Sequence, residues 1–256
     1  MLANYHTHTT YCGHATGTPQ DYAEAALRAG MKTLCFSDHS PYFYEDDYTS
    51  FIRMPMEKLP DYVRELTAVK ERYAGKIEIH IGLEAEYYPR LFPLLLRRLR
   101  QEPIEFLLLG QHYLNNEYDG VYAGTPTDSV NALMRYVDQC IDGMQTGLFT
   151  YLAHPDLMNF VGEAKIYERE MRRLCREAKA CRMPLEYNMN GYLKKRYYPE
   201  ERFWAVAGEE DAPVILGADA HTPAFLDQPE AEREVCRMLK KYGIEPIDET
   251  PLISIQ

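Results

Sequence analysis

The chain has 256 residues, 28 Lys and Arg against 39 Asp and Glu, and a formal net charge of −11. A composition that is 46% hydrophobic and 26% charged fits an ordinary folded protein with enough chain for one large α/β core, expected as a single domain over residues 1–256. The acidic balance speaks against a general nucleic-acid binder. No apolar run approaches the ~20 residues of a membrane span, and the start lacks a basic-then-apolar secretory layout, so a cytoplasmic protein with no membrane partner is expected.

The predicted elements alternate strand and helix along the chain. LANYH reads as the first strand. A helix follows in TGTPQDYAEAALRAG, where Thr18 caps, Pro19 suits the first position and Gly30 stops it. KTLCFS is a second strand, followed by the Tyr-rich, turn-prone SPYFYEDDYTSF and an amphipathic helix in PMEKLPDYVRELTAVKERYAG. KIEIHIGLE, IEFLLLGQH, LFTYLAH, MPLEYN and APVILGADAH supply strands three to seven. Between and after them, helices are expected in FPLLLRRLRQ, TDSVNALMRYVDQCIDGMQTG, EAKIYEREMRRLCREAKACR, PEERFWAVAGEE and PEAEREVCRMLKKYG. The six cysteines are scattered without CxxC pairs, which indicates neither a disulfide framework nor a zinc ribbon.

Polar residues decide how such a sheet closes. The strands end, in order, in His6 and His8, Asp38 and His39, Glu84, His112, His154, Glu186 and Asn188, and Asp219 and His221. A closed barrel brings all those ends to one mouth, whereas an open sheet spreads them along an edge, so a barrel of about seven strands is expected. In HTH, residues two apart point the same way, and His6 and His8 form a chelate. His14 lies in the loop beyond, where Gly13 and Gly17 permit sharp turns. Seven of the eight histidines fall at or just past such ends; His80, inside KIEIHIG, does not and is read as a packed or surface residue. Imidazoles mixed with carboxylates suit Zn, Fe or Mn, and there are more of them than one ion can use, which implies two or three divalent metals.

HTHTTYCGH, FSDH, GLEAEY, GQHY, AHPD and GADAH, in this order, resemble the motifs of the polymerase and histidinol phosphatase (PHP) family. The resemblance implies a distorted (β/α)7 barrel of TIM-barrel type with up to three metals at its C-terminal mouth. It further implies that His6, His8, Glu84 and Asp219 hold one metal, that Glu84 bridges to a second held also by His112 and His154, and that His14, His39 and His221 hold a third. Glu86 is no ligand in that pattern and is read as a supporting carboxylate. RMPMEKLPDYVRELTAVKERY, GLEAEYYP and LLGQHYL look like the histidinol-phosphatases of the family. That narrower resemblance implies hydrolysis of a small phosphorylated substrate, L-histidinol phosphate, through a hydroxide shared by two metals.

The narrower match departs after strand six, where NMNGYLKK stands in place of a sequence like NTAGLRK and puts Leu193 at the expected arginine. Arg53, Lys194, Lys195 and Arg196 are the candidates to contact phosphate instead. Asp38 and Asp219 are the candidate proton donors to the leaving alkoxide, beside a metal-bound water. Cys12 near His14 is disfavoured as a nucleophile because the imidazole would be occupied and no orienting partner is evident. Tyr42, Tyr44 and Tyr48 could form a lid over the substrate's imidazole. The rival readings are a PHP phosphoesterase for nucleotides or another small phosphate ester, a non-catalytic PHP module, and an amidohydrolase barrel. Nothing in the sequence marks an oligomeric state.

Overall fold

The structure is a computed structural model that describes residues 1–44 and 48–256. Part of the Tyr-rich segment, Glu45 to Asp47, lies outside the described residues. Four parallel strands pair in chain order: β1 (Ala3–Asn4), β2 (Thr33–His39), β3 (Glu78–Ala85) and β4 (Phe106–Leu109). A short antiparallel hairpin, β5 (Tyr113–Leu114) and β6 (Val121–Tyr122), projects after β4. β7 (Leu185–Asn188) and β8 (Val214–Gly217) form a second parallel pair.

Single rungs join the two parallel groups into a ring. Leu152 bridges Leu109 on one side and Leu185 on the other, with Ala153 N donating to Leu109 O at 2.8 Å and Glu186 N to Leu152 O at 2.9 Å. The expected fifth strand, LFTYLAH, is therefore reduced to a single bridging residue flanked by the bonds of Thr150 N to Leu107 O and Leu109 N to Tyr151 O. On the far side Thr7 bridges Ala220, where His8 N donates to Ala220 O at 2.9 Å and Ala220 N to His6 O at 3.1 Å. The result is the distorted seven-stranded α/β barrel expected from the sequence.

The strands are apolar because both faces are covered. Residues 34–39 of β2 and all of β4 and β8 are buried, as in parallel sheets with helices outside and packed side chains inside. The outer layer is formed by α1 (Pro19–Arg28), α2 (Leu59–Arg72), α3 (Phe92–Leu99), α4 (Val130–Gln145), α5 (Ala164–Cys181), the one-turn α6 (Met189–Leu193), α7 (Glu201–Glu209) and α8 (Pro229–Lys240). At α1 the Thr18 side chain accepts from Asp21 N while Asp21 accepts from Thr18 N, a reciprocal cap that starts the helix where the sequence indicated. The six cysteines are free, four buried and two exposed. Among the described residues no helix is long and apolar enough to cross a membrane.

Candidate metal centre at the barrel mouth

Two ligand atoms on one cation, each about 2.0–2.1 Å from it, stand roughly 2.9–3.4 Å apart. His6 Nε2 and His8 Nε2 are 3.1 Å apart. Around this pair, His6 Nε2 lies 3.4 Å from Glu84 Oε2 and 3.7 Å from Asp219 Oδ1, and His8 Nε2 lies 3.2 Å from Asp219 Oδ1. The other oxygen of Glu84 faces a second group, with His154 Nε2 at 2.8 Å and His112 Nε2 at 3.4 Å. A third group joins His14 Nε2 and His221 Nε2, 3.0 Å apart, with His39.

The donor set fits cations better than it fits itself. His39 Nδ1 stands 2.8 Å from Glu84 Oε2, yet neither atom has a hydrogen-bond partner, and His8 Nδ1 and His154 Nδ1 also lack one. Buried polar atoms are nearly always paired, so the facing orphans His39 Nδ1 and Glu84 Oε2 mark a place for bound charge. Burial, with the imidazoles of His221 and His39 beside it, holds His8 well below the usual histidine range, and burial pushes His39 down to about 4. Those two are held as the neutral imidazoles a metal requires, whereas at His6, His154 and His221, despite their burial, the neighbouring carboxylates raise the pKa, so a proton and a metal ion compete for them. Despite its burial, Glu84 is kept ionised well below the usual carboxylate range by His112, His6 and His39.

A layer behind the donors fixes their tautomers. His6 Nδ1 donates to Glu186 Oε1 at 2.7 Å, His112 Nδ1 to Glu86 Oε1 at 3.0 Å, His14 Nδ1 to Cys12 O at 2.8 Å, and His221 Nδ1 to Asp219 O at 3.0 Å. Each bond leaves Nε2 with its lone pair toward the mouth. Asn188 Nδ2 and Asn190 Nδ2 both donate to Asp219 Oδ2 at 3.1 Å, which turns Oδ1 toward the imidazoles. Two glycines make room: a Cβ on Gly110 would lie 2.0 Å from Glu84 Oε1, and one on Gly217 would lie 1.8 Å from Glu186 Oε1. His154 and Asp219 hold positive φ angles of 29° and 46°, backbone conformations that side chains other than glycine rarely adopt and that cluster at functional sites.

The structure gathers His6, His8, His14, His39, Glu84, His112, His154, Asp219 and His221 in one place and corrects several neighbours. Asp38 is fully buried behind Thr9, whose N–H approaches both its oxygens at 3.0 Å and whose hydroxyl donates at 2.6 Å. It does not line the mouth, so the expectation of a proton donor there is withdrawn. Arg53 is also corrected. It pairs bidentately with Glu86 at 2.7 and 2.9 Å and donates through Nε to Glu117 at 2.6 Å, so its guanidinium is spent inside the protein. Tyr42 donates to the Glu86 carbonyl, and Tyr44 and Tyr48 donate to Glu117, so these three tyrosines brace that network and do not line the site. Cys12 is buried and its thiol is pushed up to about 12, a poor nucleophile.

The mouth opens into a cavity of 390 Å³. Lys194 and Arg196 line it, and Lys195 does not. Tyr113, Tyr122, Tyr198 and Asn190 also line it, and sequence reasoning assigned them no role. A signal for the first two was present: Tyr113-Leu114 and Val121-Tyr122 flank an Asn-, Asp- and Gly-bearing run, the pattern of a hairpin.

Fold and donor set together define a class: a parallel α/β barrel built to hold several metal ions at its C-terminal mouth. The PHP domain model matches residues 4–190, and the chain belongs to the PHP domain family. It is 32% identical over 233 residues to a probable histidinol-phosphatase of Deinococcus radiodurans, covering 87% of each chain. It is 25% identical to the histidinol-phosphatase of Bacillus subtilis, covering 84% of this chain and 92% of that one. Its fold is similar to that of histidinol phosphate phosphatase from Lactococcus lactis, solved with zinc, L-histidinol and phosphate. The TM-score is 0.71 at 18% identity, covering 99% of this chain and 97% of that one.

Proposed function

We propose that the chain is a metal-dependent phosphomonoesterase that hydrolyses L-histidinol phosphate to L-histidinol and phosphate, working as a single cytoplasmic barrel domain in histidine biosynthesis. The observation that carries the reading is the set of 2.8–3.7 Å donor spacings around Glu84 and Asp219, with the unpaired His39 Nδ1 and Glu84 Oε2 among them. The similarity to histidinol-phosphatases over most of the chain supports the substrate.

Two or three divalent ions, Zn, Fe or Mn, fit the imidazole and carboxylate donors. His6, His8, Glu84 and Asp219 would hold the first, Glu84, His112 and His154 the second, and His14, His39 and His221 the third. When bound, such ions act as Lewis acids and make water a nucleophile near neutral pH. The chain's own residues do the rest. Arg196 and Lys194 bind phosphate oxygens and offset the charge that spreads over them during transfer. Asp219 lines the mouth and is the carboxylate we assign to proton transfer to the leaving oxygen, a role for which Asp38 is too deeply enclosed. A small phosphorylated substrate suits a 390 Å³ cavity, and the net charge of −11 speaks against a general nucleic-acid binder.

The test is phosphate release by protein reconstituted with Zn, Mn or Fe, over a panel of phosphomonoesters, phosphodiesters and amides. Release should be fastest from L-histidinol phosphate, and His6→Ala should lose metal together with at least 100-fold of activity. Rapid release from another monoester with none from L-histidinol phosphate removes the substrate assignment. A His6→Ala protein that keeps both metal and activity removes the site.

A further inference from the structure

Asn190 lines the metal-bearing cavity and is only 2% exposed. Its Nδ2 is committed to Asp219 Oδ2 at 3.1 Å, which fixes the orientation of the amide, because the reverse orientation would set two oxygens against each other. Its Oδ1 is left with no hydrogen-bond partner. A buried acceptor without a donor is costly, and one that lines a cavity beside a reaction centre is met by what enters that cavity.

The wall beside it is aromatic. Tyr198 is buried, with its ring edge-on to His154 at 6.2 Å and its hydroxyl receiving a bond from Arg196 Nη1 at 3.1 Å. Tyr122 faces Tyr113 across the β5–β6 hairpin, ring centroids 5.6 Å apart, and is 38% exposed at the mouth. These rings adjoin His112 and His154, whereas Arg196 stands over Tyr198 at 5.8 Å. The cation for phosphate thus borders the aromatic wall, and that wall with its one free acceptor is left for whatever the phosphate is attached to.

We propose that Asn190 Oδ1 and the Tyr122–Tyr198 wall form the leaving-group subsite and select an alcohol that carries both a flat ring and an N–H donor. This rests on the phosphomonoesterase reading and deepens it. The ring packs against tyrosine at the centroid distances aromatic pairs adopt. The N–H meets the orphaned oxygen. A substrate lacking the donor leaves that oxygen unmet, and a site built for a hydrogen bond discriminates strongly against analogues that cannot make it.

Three monoesters separate the parts: L-histidinol phosphate has ring and N–H donor, p-nitrophenyl phosphate has a ring alone, and ethanolamine phosphate has an ammonium alone. With metal-reconstituted protein, Asn190→Ala should lower kcat/KM for L-histidinol phosphate relative to p-nitrophenyl phosphate at least tenfold, mostly through KM, with metal content unchanged. Tyr122→Leu, at a half-exposed position that does not threaten folding, should lower L-histidinol phosphate relative to ethanolamine phosphate at least fivefold. Unchanged ratios in both variants, or an equal fall for all three substrates, overturn the subsite while leaving a phosphatase. No phosphate release from any of the three by the unaltered enzyme overturns the phosphatase reading and the subsite with it.

Discussion

Glu186 shows how much of a metal site is decided by one carboxylate that touches no metal. Its Oε1 accepts from His6 Nδ1 at 2.7 Å and Tyr151 OH at 2.9 Å, and its Oε2 accepts from His154 N at 3.1 Å and Asn188 Nδ2 at 2.9 Å. All four neighbours are donors, so a side chain that accepts through both of its oxygens satisfies them. Glu186→Gln puts an NH2 against donors on one side and loosens His6 or His154. Metal affinity should fall 10–100-fold, the usual cost of losing such a partner, read by competition with a chromophoric chelator. Unchanged affinity would show that His6 does not depend on this bond. Gly217→Ala should act in the same direction by forcing the same carboxylate aside. At this scale the sequence was legible where a residue's type and strand-end position settle its direction, as for the histidines, Glu84 and Asp219. It was not legible for Asp38 and Arg53, whose partners, Thr9, Glu86 and Glu117, come from other elements. Chemical type alone said that Arg53 can hold phosphate; only the fold shows two carboxylates already holding it.

Between elements, the Arg53 network ties three segments that the ladder of the sheet leaves apart. Arg53 comes from the stretch after β2, Glu86 from the end of β3, and Glu117 from the β5–β6 hairpin. The ion group is fully buried, and despite that burial the Arg53 guanidinium holds Glu86 down at about 2. Arg53→Met therefore leaves two carboxylates enclosed without their cation and should cost about 3–5 kcal/mol in urea unfolding. Glu117→Gln, which removes one charge and keeps an acceptor for Nε, should cost about 1 kcal/mol. A loss below 1 kcal/mol for Arg53→Met would mean that the network is open to water. The expected helices correspond to observed ones because each carries its apolar stripe and its stop signals locally. The hairpin carries a turn signal but strands of only two residues, and α6 is a single turn, so neither has the periodicity that marks an element in sequence. LFTYLAH reads as a strand from its apolar run, yet Leu152 is its one bridging residue although Thr150, Tyr151 and Ala153 also bond to β4, which is a property of barrel distortion and not of the segment.

Across the whole molecule, the barrel has a working mouth and an opposite end where stability can be probed without disturbing chemistry. His80 sits near the start of β3, paired with Cys35 in register, and its imidazole lies between Glu105 Oε2 at 2.8 Å and Glu78 Oε1 at 3.1 Å. Its neighbours are thus these two carboxylates and not the groups at the mouth. The bond to Glu105 raises the His80 pKa. Its burial notwithstanding, Glu105 is brought down to about 2 by His80, Lys70 and the Ile81 N–H. A depressed carboxylate contributes stability that is present above its unfolded value of 4.5 and lost as pH falls toward 2. A raised imidazole contributes stability that is present below its unfolded value of 6.5 and lost as pH rises through the folded one. The pair is therefore worth most between pH 4.5 and 6.5 and fades on both sides. His80→Gln should destabilise the protein by on the order of 1 kcal/mol at pH 5.5, allowing for partial exposure, and by distinctly less at pH 8.5. Metal binding has its own pH dependence, but it acts equally on both proteins at matched metal loading, so the difference in urea midpoints isolates the pair. A variant penalty that grew with pH would instead make the neutral imidazole the stabilising form of His80.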